Sequence, residues 1–325
     1  MTTIVKTVPT SVPASDLRRR SSGHSILPPD YETTETFELS QISPASSSTT
    51  SLPRYTSLYE DAPSASSPSA AAHDSSGFNA TKQLQIQSPG FALLTLPIPP
   101  RPDPIYVFNV APTGELGHGD YVSIRPARNS GSCFLARGDD LAQTPICTTT
   151  YRFGPGRPPK IRLTGDGTDQ DDSSTLEEEF ELGCKGVLTR SVIMRTHLGT
   201  FEWRYSSRAE RRAAQAWVGE EVGCLLILDQ VTNVALAGGK QEERRRKVAQ
   251  FVRSDSLRTE GSRRSSAGNG GRLMLDLREW ADRKGEAEQM ELLAVASCIS
   301  MMKKEIDRRR MHQTVVIMGA ASGGP

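Results

Sequence analysis

The sequence predicts a mainly β chain: a closed antiparallel barrel of about twelve strands around a hydrophobic C-terminal helix, preceded by a disordered N-terminal tail. Three observations lead there. A Ser/Thr/Pro/Ala-rich stretch fills the first part of the chain, short β-rich runs fill the middle, and "QMELLAVASCISMMKKEIDRRR" lies near the end. Within that last stretch every position from Leu292 to Met302 is apolar or small, with only Ser297 and Ser300 mildly polar.

Residues 1–80 include "SPASSSTTSLP" and "APSASSPSAAAHDSS". Such a segment buries too little apolar surface to offset the entropy of ordering its backbone, so it is expected to be a disordered tail. The texture changes at "TKQLQIQSPGFALLTLPI", and a folded domain is expected over 81–318, with 319–325 disordered. Runs such as "PIYVFNV", "DYVSIRP", "SCFLARG", "PKIRL", "VLTRSVIMRT", "GCLLILDQV", "KVAQFVRS" and "GRLMLDLR" recur between Gly, Pro, Asn and Asp. In "TFEWRY" Phe201, Trp203 and Tyr205 point one way while Glu202 and Arg204 point the other. Runs of this kind argue for an all-β sandwich or barrel. Three breaks interrupt them: "TGDGTDQDDSSTLEEE" reads as an exposed acidic hairpin insertion and "SSRAERRAAQAW" as a short polar helix. "GGKQEERRRK" and "RTEGSRRSSAGNGG" read as loops flanking one strand.

The apolar run predicts a helix over about 285–310. At 100° per residue Leu292, Leu293, Val295, Ile299, Met301 and Met302 surround the axis, and a helix greasy on every side is buried all round or spans a membrane. A bilayer requires about 20 apolar residues, and Lys303, Lys304, Glu305 and Asp307 end this run too early. Glu286 and Glu288 before it and Arg308 to Arg310 after it complement the helix dipole. A helix enclosed by protein and many short strands are reconciled by a barrel threaded by the helix, with those six side chains filling it.

Composition narrows the function. A formal charge of +1 over 325 residues argues against a general nucleic-acid binder. The start "MTTIVKTVPTSVPASD" lacks the apolar core of a secretory signal, so the cytoplasm is expected, peripheral at a membrane or with the nucleus as an alternative. Five scattered cysteines with no C-x-x-C pair argue against a disulfide framework and a local zinc motif. P-loop, dinucleotide-binding, EF-hand, G-x-S-x-G and H-E-x-x-H patterns are absent, so no catalytic residue, metal or cofactor is expected.

The tail carries the clearest motif. In "LPPDYETTE", Pro28, Pro29 and Tyr31 form P-P-x-Y, and Leu52, Pro53 and Tyr55 of "LPRY" form the L-P-x-Y variant. Paired prolines hold a polyproline II conformation before docking in an aromatic groove, and the tyrosine ring fills a neighbouring pocket. The pattern resembles ligands of WW domains and implies a WW-domain partner, a HECT ubiquitin ligase of the Nedd4 type. About 21 residues of flexible chain between the motifs would set them roughly 25 Å apart, a span that suits tandem WW domains. Arginines precede Ser21, Ser22 and Ser266 in R-R-x-S settings, which makes these serines candidate phosphosites. Two basic clusters, Arg244, Arg245, Arg246, Lys247 and Arg308 to Arg310, are candidate contacts for anionic lipid heads, the first being the preferred one.

"GTFEWRY", "VAQFVRS", "SSAGNGGRLMLDLREW" and the helix with "KKEIDRRR" together resemble a group of fungal proteins. That group is similar to the tubby C-terminal-like superfamily, which also holds the LURP-one-related proteins and the scramblases. The resemblance covers about 81–318. It implies a twelve-stranded barrel around a central helix and, through the tubby proteins, phosphoinositide binding. Two functions follow as expectations: an adaptor whose tail recruits the ligase while the barrel contacts membrane or cargo, or a phosphoinositide-binding module with the tail as a phosphorylation-regulated leash.

Overall fold

In the computed structural model the described residues are 77–99, 101–127, 130–151, 157–164, 178–184, 189–235 and 241–322. The tail positions Ser21, Ser22, Pro28, Pro29, Tyr31, Leu52, Pro53 and Tyr55, and the acidic stretch 165–177, lie outside them.

Among the described residues thirteen antiparallel strands form one sheet. The first seven are β1 (Lys82–Phe91), β2 (Ile105–Val110), β3 (Leu116–Ile124), β4 (Cys133–Arg137), β5 (Cys147–Thr150), β6 (Lys160–Leu163) and β7 (Glu178–Glu181). The remainder are β8 (Gly183–Cys184), β9 (Val192–Thr196), β10 (Gly199–Tyr205), β11 (Cys224–Ala235), β12 (Gln241–Arg253) and β13 (Ala267–Leu275). Sequential neighbours pair except β7 and β8, and β1 pairs β13 from Lys82↔Leu275 to Phe91↔Ala267. The sheet therefore curls into a nearly closed barrel whose one seam lies between β7 and β8, joined in the chain by Leu182.

Helix α2 (Glu286–Ser322) fills the barrel. Leu293, Val295, Ile299, Met301 and Met302 are buried among Leu84, Val107, Phe201, Trp203 and Leu273 from the strands, and Leu292 packs against the same cluster half-buried. Two polar side chains of the enclosed helix are matched. Trp203 Nε1 donates to Ser297 Oγ at 2.8 Å, and Ser297 returns its own proton to the Leu293 carbonyl. Glu291, 5% exposed, accepts from Lys82 Nζ at 2.7 Å and Tyr121 Oη at 2.9 Å, which fixes the helix entry against β1 and β3. Burial pushes the Tyr121 phenol well up, with the Glu291 charge adding to it.

The barrel and its enclosed hydrophobic helix agree with the fold class expected from sequence, and thirteen strands among the described residues fit the expected number of about twelve; three details differ. Gln241–Lys247 is strand, not loop, and so is Ala267–Gly271. The charged stretch 241–247 pairs residue by residue with Asp229–Ala235 in a long ribbon, so cross-strand bonds overrule its polar composition. In β13 the glycines permit close backbone approach: a Cβ on Gly268 (φ +66°) would meet Ile306 of α2 at 2.6 Å. Third, α2 runs to Ser322, twelve residues past 310, because Arg308 to Arg310 are used along its length and do not close it.

The polar helix is also present as α1 (Arg208–Val218). Ser207 caps it, accepting from the Glu210 N–H while Glu210 accepts from the Ser207 N–H, a reciprocal capping box. The Arg204 guanidinium holds the Glu210 carboxyl down at about 2, so this anchor stays ionised at neutral pH.

Candidate anion-binding cleft at the barrel mouth

Where α2 leaves the barrel, a cleft of about 820 Å³ opens between the helix and the ends of β10 to β13. Its positions come from several segments. Tyr205 ends β10, Arg253 ends β12, the 254–266 connection supplies Arg258, Arg264 and Ser266, and α2 supplies Glu305, Arg308 and Arg309. Leu93 and Leu94, after β1, form its apolar lip with Val316 and Ile317. Six arginines line it, Arg190 included, against the carboxylates of Asp255 and Glu305.

Arg253 is the centre of this arrangement. In β12, Ala249 and Phe251 face the interior, and strand alternation places Arg253 on that same face. Its side chain is 7% exposed, its guanidinium lies 4.8 Å over the Phe251 ring, and Nη1 donates to Glu305 Oε2 at 2.7 Å. Glu305 also accepts from the Gly268 N–H at 3.2 Å and from Tyr205 Oη at 2.8 Å; that phenol in turn accepts from Arg308 Nη2 at 2.8 Å. Burial opposes the charge on Arg253, and Glu305 more than restores it, so the guanidinium stays cationic.

Two of its donors remain. Arg253 Nε and Nη2 are buried and have no hydrogen-bond partner among the described residues, and the same holds for Arg258 Nη1 and Arg309 Nη1. A buried polar group left unpaired costs about 1–3 kcal/mol, more when charged. Nε and Nη2 form the side edge of a guanidinium, the edge that donates in parallel to two oxygens of one carboxylate or phosphate. An oxyanion that reached this edge from the cleft would find two parallel donors without a protein partner among the described residues.

Ser266 is buried on the wall of this cleft beside Arg264, and its N–H donates to the Arg263 carbonyl. The basic cluster Arg244 to Lys247 lies elsewhere, near the helix entry. Arg244 pairs with Glu242 and Arg245 with Glu202 and Glu243. Arg246 pairs with Glu279 and lies 5.3 Å over the Trp280 ring, and Lys247 lies 5.8 Å over Phe78. The second basic cluster does reach the cleft, through Arg308 and Arg309. Sequence reasoning missed Arg253, Arg258 and Arg264 as a group. One signal was readable: an arginine in phase with Ala249 and Phe251 is a charge aimed at an interior.

No family model, curated protein or solved structure matches the chain. Among the described residues no helix is long and apolar enough to cross a membrane, and no group of three or more His, Cys, Asp or Glu could hold a metal ion.

Proposed function

We propose that this protein is a binding adaptor whose barrel mouth receives the phosphorylated headgroup of an anionic lipid, a phosphoinositide. The observation that carries this reading is the free side edge of Arg253, held by Glu305 and Phe251 in a cleft ringed by five further arginines. A phosphomonoester presents the oxygens this edge lacks, and Arg258 and Arg309 supply donors for its remaining charge. The tubby-like resemblance points to the same ligand class.

The discriminating variant is Arg253→Lys, which keeps the charge opposite Glu305 and removes the two-donor edge. Loss of two charge-assisted bonds, each worth about 1.5–3 kcal/mol, should weaken phosphoinositide vesicle binding roughly tenfold or more. Binding to phosphatidylserine vesicles of equal charge should change little. Co-sedimentation indifferent to lipid composition in the parent chain, or to Arg253→Lys, would remove the proposal.

A second component rests on P-P-x-Y at Pro28, Pro29 and Tyr31 and L-P-x-Y at Leu52, Pro53 and Tyr55. The tail would bring a WW-domain ubiquitin ligase to whatever the barrel engages. Calorimetry of a 21–63 peptide with a tandem WW module should show binding that weakens with Tyr31→Ala and vanishes with Tyr31→Ala/Tyr55→Ala. Heat signals indifferent to both tyrosines would discard recruitment.

A further inference from the structure

Past the cleft, α2 emerges from the barrel with an apolar end. Met311, Val315, Val316 and Met318 are more than half exposed and Ile317 nearly half, on a segment that by length extends about 18 Å beyond Arg310. The connection after β1 adds Leu93, Leu94, Leu96 and Ile98, with Leu94 91% exposed. The two segments touch: Gln313 Nε2 donates to the Leu93 carbonyl at 2.6 Å, and both border the same cleft. Nine large apolar side chains in one exposed region need a partner.

The charges around them say which one. Arg308, Arg309 and Arg310 form a collar one turn back along α2, and the cleft arginines continue it. No carboxylate occurs between Arg308 and Ser322, nor between Phe91 and Pro102. A second copy of the chain docked on this surface would set one arginine collar against another. A bilayer with anionic lipids offers an apolar layer behind a negative one, in the order this surface presents. Arg308 to Arg310 and Gln313 break the apolar sequence too soon for a span, which leaves partial entry at the interface.

We infer that the end of α2 from Met311 to Met318, with the 93–98 connection, inserts into the interface of an anionic membrane and holds the arginine cleft at the level of the phosphates. This deepens the lipid reading of the cleft by naming the surface that enters the bilayer.

The test uses the full chain and phosphatidylcholine vesicles with and without phosphatidylserine, no phosphoinositide being present. Val315→Gln/Met318→Gln changes only exposed positions outside the cleft and adds no charge, so the fold should persist by circular dichroism while partition onto phosphatidylserine vesicles drops about tenfold or more. Ile317→Trp should gain emission that acyl-chain-brominated lipid quenches, beyond any quenching in the parent. Undiminished partition of the double variant, or no added quenching in Ile317→Trp, would overturn the insertion. So would lipid-free self-association that the double variant abolishes, since the surface would then belong to a second copy. A soluble inositol phosphate separates the two readings. Its binding should survive Val315→Gln/Met318→Gln, neither of which lines the cleft, and fall with Arg253→Lys; no binding in any form would remove the cleft's ligand and leave the insertion standing.

Discussion

A Val295→Asp chain should yield no folded barrel. Val295 is fully buried midway along the enclosed part of α2, with strand side chains around the helix on every side. An unpaired carboxylate there costs several kcal/mol even after relaxation, against a typical total stability of about 5–15 kcal/mol. Val295→Ala removes volume without adding charge and should cost about 2 kcal/mol with cooperative unfolding preserved. Urea titration followed by circular dichroism reads both. A Val295→Asp chain that unfolds cooperatively near the parent midpoint would show that position 295 is reached by water.

The second large effect is expected at Gly270. A Cβ at this position in β13 falls inside contact of the Ile86 carbonyl oxygen and the Thr259 hydroxyl, and 3.0 Å from the Ser88 nitrogen. Two of those atoms are β1 backbone, which cannot swing aside as a long side chain does. Ser88 is itself tied to Thr259, its N–H donating to Oγ1 at 2.7 Å. Gly270→Val should thus force apart β1 and β13, the pair that closes the barrel, at a cost of several kcal/mol. Gly119→Ala in β3 is the comparison: the nearest atom to its added Cβ is 4.0 Å away, and its melting temperature should stay close to the parent's. Equal losses at the two sites would mean that crowding is not the cause.

The helix and the alternating runs made the fold class legible, because both are local signals. Leu292 to Met302 declare burial on every side, and Phe201 and Trp203 declare an inward face that the structure keeps. The stretches 241–247 and 267–271 read as loops because charge and glycine are local arguments against strand. Each is decided by its partner instead: the first by the ribbon with β11, the second by the close approach of β1, β12 and α2. The cleft was less legible for the same reason. Arg253 and Glu305 stand 52 residues apart, and only closure of the barrel around α2 brings them to 2.7 Å.

The order of elements along the chain has a consequence for biosynthesis. All thirteen strands precede the helix that fills them, so the ribosome releases the barrel wall before its interior. The pairing of β1 with β13 joins residues about as far apart as Lys82 and Leu275, a contact formed late in any folding sequence. Until Met290 to Met302 emerge, the inward faces of the strands have nothing to pack on. The nascent strands are exposed to misassociation throughout that interval, and the burden on chaperones falls on the strand segment, not on the helix.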